Sequence, residues 1–81
     1  MRIDVLYFAA AREAAGTPSE AVDVPSATTV GALRPWLAAH RPALVGVLGA
    51  SRLAVGERFA PETHALADGD VVAVIPPVSG G

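Results

Sequence analysis

The chain has 81 residues, which suits one domain spanning residues 1–81 and leaves no room for a second domain beside an active-site cleft. A formal net charge of −2 at pH 7 argues against a nucleic-acid partner, because proteins that follow a phosphate backbone carry clustered basic side chains. Because cysteine is absent, the sequence excludes a disulfide, a thiolate metal site and a thiol nucleophile. All six basic residues are arginine, and lysine is absent.

Two strands and a short helix are predicted in the first part of the chain. Residues 2–8 are largely apolar on both sides beyond Asp4, a pattern typical of a central strand. Residues 9–15 are strong helix formers, and Gly16 suits the position that follows a helix. Residues 20–24 alternate between polar and apolar, which predicts a second strand antiparallel to the first.

Residues 30–40 are predicted as the main helix, capped by Thr28 or Thr29 and laid across the sheet. Its apolar stripe consists of Val30, Leu33 and Leu37, widened by Ala32 and Trp36. Pro35 conflicts with a regular helix, since an interior proline removes a hydrogen bond and costs about 3 kcal/mol. Either the first turn is irregular and Pro35 lies near the true helix start, or the helix is kinked, and the sequence leaves both alternatives open.

The segment after the main helix is predicted to hold a short helix and a hairpin. Residues 42–48 form the helix, with a proline at its first position. Residues 52–55 form a short strand, residues 56–57 turn the chain, and residues 58–59 return as an edge strand.

The last part of the chain predicts a buried strand and, with it, the fold. Residues 60–67 form a polar connection with one 3₁₀ turn, and residues 68–70, Asp-Gly-Asp, are a turn signal. Residues 71–75, VVAVI, have the composition of a buried strand. The order favours an α+β, β-grasp (ubiquitin-like) fold, with a mixed sheet of four to five strands, one main helix and short additional helices. A last strand parallel to the first in mid-sheet explains why both are apolar on two faces.

Neither an internal active site nor a membrane segment is predicted. His40 and His64 lack a Cys, Asp or second His at ligand spacing. Asp68 and Asp70 flank a glycine before a strand, which is typical of turn residues rather than of an acid–base pair. No apolar run reaches the roughly 20 residues of a membrane span and the chain begins directly in a strand, so we expect a cytoplasmic protein without a membrane partner.

The candidate functional group is the C-terminal carboxylate. Pro76 and Pro77 stop the last strand, and residues 76–81 are predicted to leave the domain as a protruding tail that is stiff at its base and flexible at its Gly-Gly end. Gly80 and Gly81 have no side chain, which suits a narrow channel. The Gly81 carboxylate is ionised at pH 7 and is a poor electrophile, so it needs activation, most simply as a mixed anhydride with AMP. Small residues are also common at frayed chain ends, so Gly-Gly alone is a weak signal.

Both ends of the chain resemble the small-subunit family of molybdopterin synthase, ubiquitin-like sulfur carriers of β-grasp fold. Residues 66–81, LADGDVVAVIPPVSGG, resemble the C-terminal signature of that family, and residues 5–9 and 11–13 resemble its beginning. The likeness covers nearly the whole chain, is specific at both ends and is loose in the middle. The chain departs from the family pattern at residues 55–57, which lack a common asparagine, and at Pro35.

The resemblance implies a carrier that works with three other proteins. An ATP-using, ubiquitin-activating-type adenylyltransferase would adenylate Gly81, and a sulfurtransferase would convert it to a thiocarboxylate. The tail would then enter the large synthase subunit, in a heterotetramer, and give its sulfur to cyclic pyranopterin monophosphate. The activating partner consumes the ATP, this chain is expected to bind no cofactor, and the catalytic side chains are expected on the large subunit.

The resemblance also implies a docking surface. Gly80 and Gly81 are the expected reactive end, and the expected partner-binding residues are Phe8, Arg12, Ile75, Pro76, Pro77, Val78 and Ser79. Phe8 and Ile75 lie on strands that are predicted to be neighbours. On the residues alone, Phe8 and Ile75 fit an ordinary core equally well, and Arg12 fits a solvated helix face.

Three other functions remain open on the sequence. One is a sulfur carrier for another pathway, such as thiazole (thiamine) synthesis, although the two prolines and the longer middle of the chain speak against it. A second is a ubiquitin-like modifier that is joined to lysines of other proteins. A third is a plain β-grasp interaction module, in which the Gly-Gly end is incidental.

Overall fold

Five strands form one mixed sheet in the computed structural model, which describes residues 1–77. The strands are β1 (Arg2–Tyr7), β2 (Ser19–Asp23), β3 (Arg52–Val55), β4 (Arg58–Phe59) and β5 (Val71–Ile75). Their order across the sheet is β2-β1-β5-β3-β4. β5 pairs in parallel with β1 and antiparallel with β3, so the last strand lies in mid-sheet beside the first. The predicted β-grasp fold is confirmed.

The helices occupy the connections between the strands. They are α1 (Ala9–Ala15), α2 (Val30–His40) and α3 (Val45–Leu48), and a 3₁₀ helix (Pro42–Leu44) precedes α3. α1 ends at Gly16, whose φ of 73° is the left-handed conformation that suits glycine after a helix. Each of these elements was predicted, although the segment before β3 divides into a 3₁₀ helix and an α-helix rather than one helix.

The core lies between one face of the sheet and the helices. β1 buries every second residue, as its alternation predicts, and α2 buries residues at helical spacing. The fully buried large side chains are Ile3, Val5, Tyr7, Val30, Leu33, Leu37, Leu44, Val72 and Val74. Leu66 is also buried, although the connection that contains it was predicted to be polar. A hydrophobic core on one side of the sheet holds β1 and β5 in fixed register beneath α2.

The structure corrects two details of the prediction. β1 ends at Tyr7, because the helix-forming alanines follow at once and Phe8 becomes the N-cap of α1. β2 starts and ends one residue earlier than predicted. In residues 60–67 the His64 N–H donates to the Pro61 carbonyl at 3.0 Å, which closes the single 3₁₀ turn that was predicted there.

α2 accommodates Pro35 without a break in the helix. The helix begins after Thr29, whose Oγ1 accepts a hydrogen bond from the Ala32 N–H at 3.1 Å, as expected for one of the two predicted caps. It then continues through Pro35 to His40, so the helix does not begin near Pro35. Ala32 is exposed and does not widen the apolar stripe, whereas Trp36 is half-buried against the core.

The first turn of α2 is fastened to the loop that precedes β5. The Val30 N–H donates to the His64 carbonyl at 2.9 Å, and the Gly31 N–H donates to the Glu62 carbonyl at 2.8 Å. These bonds satisfy two backbone donors that the first turn of a helix leaves without intrahelical partners. The approach is close, since a Cβ atom at Gly31 would lie 3.1 Å from the Glu62 carbonyl oxygen.

Substituting Gly31→Ala is therefore expected to lower the free energy of unfolding by about 1 kcal/mol, because the backbone shift that admits the methyl group costs more than the gain in helix propensity returns. The matched control is Gly46→Ala in α3, where an added Cβ meets nothing within 4 Å. That variant gains helix propensity and should be more stable than the parent by up to about 1 kcal/mol. Urea titrations of both variants test the close approach, and equal stabilities would contradict it.

A polar cluster ties the edge strand β2 to the end of α2. The Tyr7 hydroxyl donates to Glu20 Oε2 at 2.6 Å, and the Arg41 Nη2 donates to Glu20 Oε1 at 3.2 Å. Arg41 also reaches the Ala15 carbonyl, and His40 Nε2 lies 3.3 Å from Glu20 Oε1. The Glu20 side chain is only 14% exposed. Burial would raise the pKa of the Glu20 carboxyl, but hydrogen bonds from Arg41, Tyr7 and His40 outweigh it and hold that pKa below its ordinary value.

Glu20→Gln is expected to lower the free energy of unfolding by about 1–3 kcal/mol at pH 7. The substitution weakens the buried group that accepts hydrogen bonds from Tyr7 and Arg41. A carboxyl with a depressed folded pKa stabilises the fold above its unfolded pKa of about 4.3, and this contribution disappears as the pH falls through the folded pKa. The stability gap between the parent and Glu20→Gln should therefore shrink below about pH 4. Denaturant titrations at neutral and acidic pH measure the gap.

The control for this cluster is Asp23→Asn, on the same strand, because the Asp23 side chain is 89% exposed. Its stability should change little at either pH, since exposed ion pairs contribute little. A gap for Glu20→Gln that stays constant from pH 7 to acid would contradict a depressed Glu20 pKa.

Candidate functional site

The face of the sheet opposite α2 carries an exposed apolar depression of about 560 Å³. It is lined by Leu6, Phe8, Ala54, Gly56, Glu57, Phe59, Val71, Ala73 and Ile75, and we call this surface the open face. Phe8 is 47% exposed, Phe59 is 52% exposed and Val71 is 40% exposed. Contiguous apolar exposure of this kind is typical of a protein–protein interface.

The open face explains the apolar character of both sides of β1 and β5. A position in mid-sheet was the predicted cause of that pattern, and both strands do lie there. Among residues 1–77, however, the helices that cover the sheet pack on one side only, so the second apolar side remains exposed. This side is therefore apolar although the described residues leave it uncovered, which is typical of a surface that docks another protein.

The strand register brings Phe8 and Ile75 together, as predicted. Tyr7 pairs with Val74, and the Phe8 N–H then donates to the Val74 carbonyl at 3.2 Å. Phe8 therefore lies beside Ile75, and both side chains line the open face. Neither residue belongs to the core, which was the alternative on the residues alone.

The chain leaves the sheet at the same end of the open face. β5 ends at Ile75, Pro76 is half-buried and Pro77 is exposed. The other predicted tail residues, Val78, Ser79, Gly80 and Gly81, lie outside the described residues, and their roles remain predictions.

Arg12 borders the open face without lining it. It is exposed on α1, and its N–H donates to the Phe8 carbonyl at 3.3 Å, so it lies one helical turn from Phe8. It lines a separate shallow depression with the turn that follows the helix. The docking role of Arg12 remains a prediction.

Sequence reasoning missed several residues of the open face: Leu6, Ala54, Phe59, Val71 and Ala73. Part of this set was visible in the sequence, because Val71, Ala73 and Ile75 recur with the period of a strand. Phe59 gave no such signal, because β4 has only two residues. The side of the sheet from which each of them projects depends on the pairing with β3.

The described residues contain no group of three histidine or carboxylate side chains that could hold a metal ion. No helix within residues 1–77 combines the length and the apolar character that crossing a membrane requires. The candidate functional site is therefore the open face, together with the chain that continues from the end of β5.

The fold and the open face define a ubiquitin-like β-grasp protein. The model of the ThiS family matches residues 5–81, and the chain belongs to this family. It is 43% identical to the molybdopterin synthase sulfur carrier subunit of Mycobacterium tuberculosis, over 100% of this chain and 99% of that protein. It is 45% identical to the protein of the same name from Escherichia coli, over 98% of this chain and 99% of that protein.

A solved structure of a protein that is named for a different role is also similar. The crystal structure of the small archaeal modifier protein 1 of Haloferax volcanii superimposes with a TM-score of 0.84 at 29% identity. The match covers 95% of this chain and 98% of that protein. The fold is thus shared by relatives named as sulfur carriers and by a relative named as a modifier.

Proposed function

We propose that this chain is the sulfur carrier subunit of a molybdopterin synthase, working in the cytoplasm. The observation that carries the proposal is full-length similarity, at more than 40% identity, to two proteins with that name. The first of these matches covers the whole chain and therefore includes β5 and the tail at residues 76–81.

The position of β5 supports this function. β5 contributes Val71, Ala73 and Ile75 to the open face and then continues into Pro76 and Pro77. A protein seated on the open face is therefore beside the start of the tail. The two prolines restrict the free conformations of the tail base, so less entropy is lost when the tail enters a channel.

The proposed chemistry occurs at the Gly81 carboxylate. One carboxylate oxygen attacks the α-phosphorus of ATP in the active site of an adenylyltransferase, and pyrophosphate leaves. Hydrosulfide, or the terminal sulfur of a sulfurtransferase persulfide, then attacks the acyl carbon. On the persulfide route the product is an acyl disulfide, and a thiol cleaves its S–S bond and is itself oxidised to a disulfide. AMP leaves, and the terminus carries a C–S bond as a thiocarboxylate.

The loaded carrier then meets the large synthase subunit in a heterotetramer. The thiocarboxylate sulfur attacks a carbon of the substrate, cyclic pyranopterin monophosphate, and forms a thioester with it. Water then hydrolyses the acyl–sulfur bond, which restores the Gly81 carboxylate and leaves the sulfur on the substrate for its dithiolene. The catalytic side chains belong to the large subunit, and this chain acts as a co-substrate that binds no cofactor of its own. Phe8, Ile75 and Pro76 supply docking contacts, and Gly80 and Gly81 enter the channel.

A second function is favoured by the likeness to the small archaeal modifier protein 1. In that role the activated Gly81 carboxyl would form an amide with a lysine of a target protein. The chain itself has no lysine, so it offers no side chain for lysine-linked chains of its own kind. The two functions share the activation step and differ in the nucleophile that follows.

The test is to incubate the purified chain with ATP, its activating adenylyltransferase and sulfide, and to measure the intact mass. We expect the exchange of one oxygen for one sulfur, dependent on ATP. Addition of the large subunit and cyclic pyranopterin monophosphate should then yield molybdopterin and return the carrier to its original mass. An unchanged mass after incubation with ATP, the adenylyltransferase and sulfide, before the large subunit is added, would contradict the proposal.

A further inference from the structure

Arg52 lies at the end of the open face from which the tail departs. It pairs with Ile75 across the antiparallel strands β3 and β5, and paired residues project from the same side of a sheet. Its guanidinium carbon is 3.6 Å from the centroid of the Phe59 ring. A cation is therefore stacked on the apolar rim, next to the start of Pro76 and Pro77.

The charge of Arg52 is available to another protein. Arg2, Arg34 and Arg41 each lie within 4.0 Å of a carboxylate of this chain. Within residues 1–77, Arg52 has no carboxylate at that distance, and its side chain is exposed. At the opposite end of the open face Glu57 lines the surface and Asp4, which is ion-paired with Arg2, pairs with Val71. Carboxylates therefore lie at the start of β5, whereas Arg52 lies at its end.

We propose that Arg52 is the charged anchor of the open face and pairs with an aspartate or glutamate on the large synthase subunit, at the rim of the opening that receives the tail. This inference rests on the proposed function, which supplies the occupant. Stacking on Phe59 already orders the planar guanidinium, so it presents its donors to a carboxylate in a fixed geometry.

The anchor gives the docking a direction. Apolar contact is non-directional, so Leu6, Phe8 and Ala73 alone would permit more than one orientation of the partner. A cation at one end of the face favours the orientation in which the partner's carboxylate, and the opening beside it, lie over the tail. Charged pairs at the rim of an interface act chiefly on orientation, association rate and salt dependence.

The test measures binding of the carrier to the large synthase subunit by calorimetry at low salt, about 50 mM. Arg52→Glu should raise the Kd about tenfold or more, and the loss should diminish at high salt, about 0.5 M, because screening weakens the repulsion. Arg52→Gln removes the charge without adding repulsion and should raise the Kd about threefold. It keeps the test informative if Arg52→Glu fails to fold.

The matched control is Arg58→Glu, which makes the same change in net charge. Arg58 is exposed on β4 and pairs with Val55, whose side chain packs against the core, so Arg58 projects from the other side of the sheet. Its effect on the Kd should stay within about twofold. Equal effects of the two charge reversals overturn the role of Arg52, whereas a parent protein that does not bind the large subunit contradicts the proposed function itself.

Discussion

Deletion of Gly81 is expected to abolish sulfur loading and reduce the rate of molybdopterin formation by about a thousandfold or more. The reacting carbonyl would move back by one residue, about 3.5 Å, along the tail. Misplacement of a reacting group by about 1 Å already costs about a hundredfold in rate. The rate is measured with the activating enzyme, sulfide, the large subunit and cyclic pyranopterin monophosphate.

The fold provides the control for this deletion. All five strands and the core lie within residues 1–77, so the truncated chain should unfold at the same temperature as the parent. Within the tail, Gly80→Ala tests the width of the channel, and Gly46→Ala makes the same change where an added Cβ meets nothing within 4 Å. Normal cofactor formation by the chain that lacks Gly81 would contradict the role of the terminus.

Phe8→Asp is expected to weaken binding to the large synthase subunit about a hundredfold, because it removes a large exposed ring from the open face and adds a charge there. The fold should persist. Phe8 is the N-cap of α1 and is 47% exposed, and aspartate is among the favoured N-cap residues. Calorimetric titration of the variant with the large subunit measures the change in Kd.

Val45→Asp is the matched control for Phe8→Asp. Val45 is the first residue of α3, is 63% exposed and does not line the open face. Both variants replace an exposed apolar residue with aspartate at a helix N-terminus, and both change the net charge by the same amount. Equal affinities of the two variants for the large subunit would show that the open face is not the docking surface.

The sequence predicted the order of the elements because each carries its own local signal. β1 and β5 are apolar runs, α2 repeats Val30, Leu33 and Leu37 at helical spacing, and the turn at residues 68–70 contains Gly69, whose φ is 86°. Such signals depend on neighbours in the chain, so they need no knowledge of the tertiary structure.

The sequence could not distinguish a side of the sheet that is covered by a helix from one that another protein covers. Apolar residues on both sides of β5 indicate burial, and the identity of the covering surface is a tertiary property. From the sequence alone, Ile75 was therefore equally consistent with a core position and with an interface. In the structure the helices cover the opposite side of the sheet, and Ile75 lines the open face.

Contacts between distant residues were also beyond the sequence. Tyr7, Glu20 and Arg41 meet only because β2 and the end of α2 are brought together, and no short motif marks them. The contact of Arg52 with Phe59 depends on the register of a two-residue strand. These contacts are set by strand pairing and helix packing, which local propensities do not encode.

The most direct test of the central claim is the intact mass of this protein isolated from its native host while the host makes molybdenum cofactor. We expect a fraction of molecules in which one oxygen of the C-terminal carboxylate is replaced by sulfur, and no such fraction when Gly81 is deleted. A chain found only unmodified, or only joined to lysines of other proteins, would contradict it.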